Sequence, residues 1–378
     1  MKLFENKHRK NDKPANHTEN LYEFCDNSSL DEINNIRILL NKWFDVYPDE
    51  EKVELKRRFE TEFHPALFEL FLHELFFRQG FKISIHPSVE NSNKKPDFLM
   101  SKGDINFYVE AKVATSKSDI EVAYDNKLNV LYDAINTIES PDFLLGIHSV
   151  SFISDKQPAI RPILNFLRDY INDFDVNDLT SKLLEGKCYR DLSLRKYTDE
   201  DNIEIYFFLI PKASGKRNMP GRFIGIYPDI TFNEGNEASI QSSLIKKSSR
   251  YGNLDKPYLI CINSLGDFLT NEYDAKAAIW GSLEISFSSD PKNHDLKMSR
   301  RNDGFFYNKY GPAHKRVSGV LITRLQLANL PKSEYWLSKN PFADKELDFN
   351  TLELSYTYVE DKKLQTVKKK SVEDILSN

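Results

Sequence analysis

Apolar residues recur along this 378-residue chain with two periods. Over residues 105–112 the period is two: Ile105, Phe107, Val109 and Ala111 fall on one side of a strand, so Glu110 and Lys112 share the other. The run Phe98-Leu99-Met100 reads as its partner strand, and Lys102-Gly103-Asp104 between them has the glycine-containing composition of a tight hairpin. Upstream, HPALFELFLHELFFRQGF predicts a helix with Pro65 in its first turn and Gly80 at its C-cap, and the alternation from Phe81 to Ile85 predicts a strand after it.

Helical periodicity also covers 30–43, N-capped at Ser29, a charged segment after Pro48, and residues 120–138, 162–174, 176–184 and 240–252. Strands are expected over 143–153, 203–210, 223–226, 258–262 and 317–322. The sum is an α/β protein with a mixed central sheet flanked by helices. The expected layout is a mobile polar tail (1–20), a helical leader (21–62), a core (63–290) with a helical insertion at about 117–200, and an α+β C-terminal extension (291–378).

The hairpin has a chemical consequence, because it brings Asp97, which opens the first strand, beside Glu110 near the end of the second. Two converging carboxylates make an all-oxygen site suited to Mg²⁺, with Mn²⁺ as a substitute; Mg²⁺ keeps several waters and takes few protein ligands. Such a cation stabilises charge on a phosphate, and a lysine beside it can orient the attacking water or neutralise that charge. Lys112, on the face of Glu110, is placed for that role.

In this arrangement the chain resembles the PD-(D/E)XK nuclease superfamily, whose restriction-endonuclease-like fold carries a Pro-Asp and a Glu-x-Lys on successive strands after a glutamate-bearing helix that ends in glycine. The resemblance covers residues 64 to about 115. It implies a metal-dependent DNA endonuclease or exonuclease working by in-line hydrolysis that leaves 5′-phosphates, with Asp97 and Glu110 as metal ligands and Lys112 beside the nucleophilic water. It also implies an auxiliary acid on the helix, for which Glu69 and Glu74 compete; Glu69 fits the distance to Gly80 better. A later helix of this fold packs near the active edge, which makes Lys247 and Arg250 candidates for the phosphate backbone, against an ordinary role as cations at a helix C-terminus. A homodimer would be needed for double-strand cleavage.

Two other Pro-Asp pairs lack this context. Pro48-Asp49 opens a charged helix, and the Glu-x-Lys that follows Pro141-Asp142, at Glu185 to Lys187, lies at a helix end far downstream. There is no P-loop, since Gly215-Lys216 lacks the upstream glycine, and hence no expected nucleotide cofactor; GxSxG and HExxH are also missing. His64, His73 and His86 border the site in sequence without a zinc-ligand spacing, and His73 reads as a helix-surface residue or a neighbour of Glu69. Two alternatives stand beside the DNA nuclease: a catalytically inactive nucleic-acid-binding or protein-interaction module, and an RNA nuclease, because the site chemistry does not read the sugar.

Composition narrows the class without deciding it. With 40 % hydrophobic and 12 % aromatic residues a large core is affordable. A net charge of −5 confines any grip on nucleic acid to local basic clusters. No signal-peptide or membrane-length apolar run occurs, and three scattered cysteines fit a reducing compartment, so cytoplasmic residence without membrane contact is expected.

Overall fold

The computed structural model describes residues 1–90, 93–115, 119–228, 236–266, 270–287 and 296–377. The chain divides into two compact units: unit 1 is Met1–Lys13, Asn20–Ser116 and Glu234–Asn378, and unit 2 is Pro14–Glu19 and Lys117–Asn233. Among the described residues no helix is long and apolar enough to cross a membrane.

Unit 1 opens with helices α1 (Leu21–Asn27), α2 (Asp31–Asp45), α3 (Lys52–Thr61) and α4 (Phe63–Arg78). Helix α2 starts on Leu30 with no side-chain cap, contrary to the expected Ser29 cap, and Asp31 and Glu32 in its first turn meet the positive end of the helix dipole instead. Helix α4 is buried along most of its length because its apolar residues run all round it. It stops at Gly80, whose φ of +81° lets the amides of Gly80 and Phe81 turn back to Phe77 and Phe76.

Three strands follow as an antiparallel meander: β1 (Lys82–Ile85), β2 (Phe98–Lys102) and β3 (Ile105–Ala114). Gly103, at φ +58°, makes the tight turn between β2 and β3.

Unit 2 intervenes with α5 (Asp119–Ile135), β4 (Phe143–Phe152), α6 (Ile160–Asn172), α7 (Val176–Leu184), α8 (Tyr189–Ser193), β5 (Arg195–Asp199), β6 (Ile203–Pro211) and β7 (Ile224–Ile226). Its sheet runs β5-β6-β4-β7. Alternate residues of β4 and β6 share one core with Leu131, Ile135, Ile163 and Leu167. This corrects the expected insertion at 117–200: the strands at 203–211 and 224–226 pair with β4 rather than with the main sheet, so the inserted unit runs to Asn233.

Unit 1 resumes with α9 (Asn236–Ser248), β8 (Tyr258–Ser264), α10 (Glu272–Trp280), two small hairpins, β9 (Leu283–Phe287) with β10 (Leu296–Arg300) and β11 (Tyr307–Asn308) with β12 (Gly311–Pro312), then β13 (Gly319–Thr323), β14 (Tyr335–Lys339), β15 (Tyr356–Glu360), β16 (Lys363–Val367) and α11 (Val372–Leu376). The main sheet has eight strands in the order β1-β2-β3-β8-β13-β14-β15-β16, with β8 parallel to both neighbours. Every residue of β8 is buried, as a central strand covered on both faces requires.

Helix α4 covers one face, where Phe76 meets Phe81 and Phe107. Helix α9 covers the other, where Ile240 and Leu244 pack with Tyr108, Ile260 and Ile262. Residues beyond 290, expected as an extension, supply four strands of this sheet; the expected boundary at 290 itself lies outside the described residues. The N-terminal residues 1–20, expected to be mobile, are held: Leu3 and Phe4 are buried, Arg9 bonds Asp26, and His17 and Thr18 are tied within unit 2 by the Asp133 carboxylate.

Candidate active site

The β2–β3 register sets the site. Phe98 is paired with Val109, so the next step along each strand brings Asp97 level with Glu110. There the backbone ladder gives way to a side chain, and Asp97 Oδ2 accepts from the Ala111 amide at 2.6 Å. Glu110 shares its face of β3 with Tyr108 and Lys112, the face packed by α9, and its side chain is 1 % exposed. Lys112 continues the same face and is exposed.

A buried carboxylate needs partners. Helix α9 and the residues after it supply them. Lys247, in the last turn of α9, donates to Glu110 Oε1, and Arg250 Nε lies 3.8 Å from the same oxygen. The Tyr251 hydroxyl reaches Glu110 Oε2 and lies 3.0 Å from the Lys95 carbonyl. Lys247 and Arg250, expected at a phosphate, are thus brought onto the carboxylate itself. Tyr251 was not singled out by the sequence; one aromatic after a helix end carries no signal.

Glu69 sits on α4 with its side chain 9 % exposed, held by both terminal nitrogens of Arg58 from α3 at 2.6 and 2.7 Å. That fork raises the Arg58 pKa further above its ordinary value. Arg58 too escaped the sequence, because its partner lies across a helix–helix contact.

The charge distribution joins these groups. The Asp97 carboxyl is pushed up to about 8, first by desolvation and then by the negative charges of Glu110 and Glu69, which together outweigh the Ala111 amide and Lys247. Glu74 does not contribute to that field: its side chain is fully buried, paired with Arg78 at 2.7 Å, and burial raises its pKa. Of the two helix glutamates, Glu69 is therefore the one that belongs with Asp97. Although Lys112 is exposed, partial desolvation lowers its ammonium pKa, followed by repulsion from Lys247, Lys246 and Arg250. Burial pushes the Tyr251 phenol up, with Glu110 adding to it.

Glu110 thus lies against Lys247 and Arg250, with Lys112 close enough to Lys246, Lys247 and Arg250 to feel their charge, while Glu69, held by Arg58, acts on Asp97 through its charge. Among the described residues no three His, Cys, Asp or Glu side chains form a ready-made metal cage. The carboxylates are instead drawn toward Lys247, Tyr251 and Arg58. An all-oxygen pair still fits a hard cation that takes one or two carboxylates and completes its shell with water and phosphate. The ammonium at Glu110 marks where positive charge is wanted.

No protein-family model, no curated protein and no solved structure matches this chain. What the site does must come from its own geometry.

Of the histidines, His73 is buried on α4 against Tyr47, with ring centroids 4.7 Å apart, rather than lying on the helix surface. The long apolar stripe of α4 leaves it no solvent-facing side. Burial takes its pKa down to about 4.

Proposed function

We propose that this chain is a divalent-metal-dependent nuclease of the PD-(D/E)XK, restriction-endonuclease-like type, hydrolysing phosphodiester bonds of DNA. The observation that carries this is the side-by-side placement of Asp97 and Glu110 on one hairpin with Lys112 on the same face, in a field that leaves Asp97 short of positive charge. The succession of helix α4, antiparallel meander, helix α9 and parallel strand β8 supports the fold assignment.

Asp97 and Glu110 would hold Mg²⁺, or Mn²⁺ in its place, with Glu69 as the auxiliary acid. The cation supplies Lewis-acid stabilisation of charge on a phosphate. The chain's own residues do the rest. Lys112, its pKa lowered and its side chain exposed, directs an ammonium donor at the attacking water and the phosphate oxygens. Lys246 and Arg250 add positive charge to a surface that a polyanion must approach in a protein of net charge −5. Arg58 fixes Glu69 so that its charge bears on Asp97.

A second possibility, a non-catalytic nucleic-acid-binding module, is favoured by one observation: both Glu110 oxygens are already satisfied by Lys247 and Tyr251, as a purely structural ion pair would leave them. One experiment separates the two. Wild-type and Lys112→Ala proteins are incubated with plasmid DNA, single-stranded DNA and RNA in Mg²⁺, Mn²⁺ or EDTA. Cleavage of DNA by wild type that is lost in EDTA, and reduced by about 10²–10³-fold in Lys112→Ala at unchanged melting temperature, is expected. Cleavage of RNA alone would change the substrate, and metal-independent binding with no cleavage would make the chain a binding module.

A further inference from the structure

Lys247 stands where a simpler site would have nothing. Its ammonium occupies Glu110 Oε1, one of the oxygens a metal would need. The side chain is 14 % exposed and starts from the last turn of α9, with Lys246 beside it and Arg250 just beyond the helix. This contact pairs Glu110 without cancelling its charge at Asp97, which remains under the negative field of Glu110 and Glu69 because the opposing effect of Lys247 is smaller. One monovalent ammonium therefore satisfies only half of the pair; a divalent cation shared by both carboxylates would satisfy all of it.

We propose that Lys247 is an exchangeable counter-ion: its ammonium holds Glu110 until a divalent cation takes that oxygen, and the released ammonium then contacts a phosphate of the nucleic acid. This rests on the nuclease reading for the second contact but not for the first. The long unbranched lysine stem suits the exchange, since it carries a compact charge through several rotamers, where an arginine would grip the carboxylate in a two-pronged fork. The consequence is ordered assembly. Lys247 and the metal compete for one oxygen, so metal binding frees a phosphate donor, and by linkage bound phosphate strengthens metal binding. Without metal, the deepest carboxylate of the site is never left as an uncompensated buried charge.

Thermal melting under Mn²⁺ titration, with no nucleic acid present, tests the exchange in the full chain. Wild type should be stabilised by Mn²⁺, and Glu110→Gln should lose the response. Lys247→Met removes the competitor: it should melt lower without metal, gain more from Mn²⁺, and reach half of its gain at about tenfold lower Mn²⁺. Lys247→Arg keeps the charge and should shift the half-point the other way, which keeps the test open if Lys247→Met melts too low to titrate.

A structural ion pair would lower the melting temperature of Lys247→Met without moving the half-point. Equal half-points in wild type, Lys247→Met and Lys247→Arg would overturn the exchange, as would a wild type that Mn²⁺ does not stabilise. Because cleavage is scored separately, a protein that cleaves DNA but shows equal half-points loses only the exchange. One that shows the ordered half-points but cleaves nothing loses only the nuclease.

Discussion

Unit 2 and unit 1 each build a sheet packed by helices, but they spend their interiors differently. Unit 2 lines one face of its sheet with Leu145, Ile147, Ile203, Ile205, Phe207 and Leu209, and its buried polar residues among those described are two serines, Ser140 and Ser193, both hydrogen-bonded to backbone. Unit 1 buries Glu69, Glu74 and Glu110 together with Arg37, Lys52 and His73. Buried ionisable groups cost desolvation that apolar packing would avoid; of these six, Glu110 lies on the β2–β3 hairpin and Glu69 acts on Asp97 through its charge, so part of that cost falls at the candidate site. The contrast separates a framework packed almost wholly by apolar residues from one that also buries charge.

The sharpest way to break that contrast is at Glu69. Arg58→Ala removes the fork and leaves a nearly buried carboxylate alone, which should cost about 3–5 kcal/mol in chemical denaturation. Replacing both partners, Arg58→Met with Glu69→Leu, should recover most of that loss, because an apolar pair of similar volume needs no compensation. In unit 2, Ile205→Ala should cost about 2–5 kcal/mol through a cavity, with no paired change at a polar partner able to restore it. If Arg58→Ala costs less than about 1 kcal/mol, the charges of unit 1 are solvated and the comparison collapses.

Asp97 sharpens it further, since here the cost has a pH signature. Its folded-state pKa lies near 8, above the unfolded value, so the stability it contributes is present at pH below about 4 and is lost as pH rises toward 8. Asp97→Asn keeps an oxygen for the Ala111 amide and removes the charge. It should be more stable than wild type at pH 8, by on the order of 3 kcal/mol once solvent screening of this half-buried group is allowed for, with the gap closing below pH 4. Mg²⁺ should narrow the gap at pH 8 by stabilising wild type alone. Equal stabilities at pH 8 would mean that Asp97 feels no field from Glu110 and Glu69.

How much of this was legible follows from the range of each interaction. The alternation of Ile105 to Lys112, the turn at Gly103 and the stop at Gly80 are local, and they were enough to put Asp97 and Glu110 on one hairpin and Lys112 on the face of Glu110. The helix at Val176–Leu184 could likewise be read from its period. Sheet membership could not: the strands at Ile203–Pro211 and Ile224–Ile226 alternate as any strand does, and only pairing with β4 decides which sheet they join. Arg58 was hidden among the neighbouring cations Lys56 and Arg57 of a charged helix, eleven residues from its partner. Leu3 and Phe4, a lone apolar pair in a polar stretch, gave too little period to reveal that the N-terminus is packed.

The smallest effect expected lies at His73, four residues after Glu69 on α4. Its ring packs on Tyr47 and stacks with Phe77 at 6.2 Å, and its Nδ1 is buried with no partner among the described residues. Burial lowers the folded-state pKa to about 4 from 6.5, so His73 contributes stability above pH 6.5 that is lost as pH falls toward 4, the opposite sense to Asp97. Comparing His73→Phe with wild type isolates this term, since Asp97 acts equally in both. Relative to their difference at pH 7.5, the variant should gain about 1 kcal/mol over wild type at pH 5.5, read from urea midpoints at the two pH values. Parallel pH profiles would show that the imidazole stays hydrated in the folded chain. The charge-dense interior of unit 1 would then extend from Glu69 toward Asp97 but not along α4 to His73.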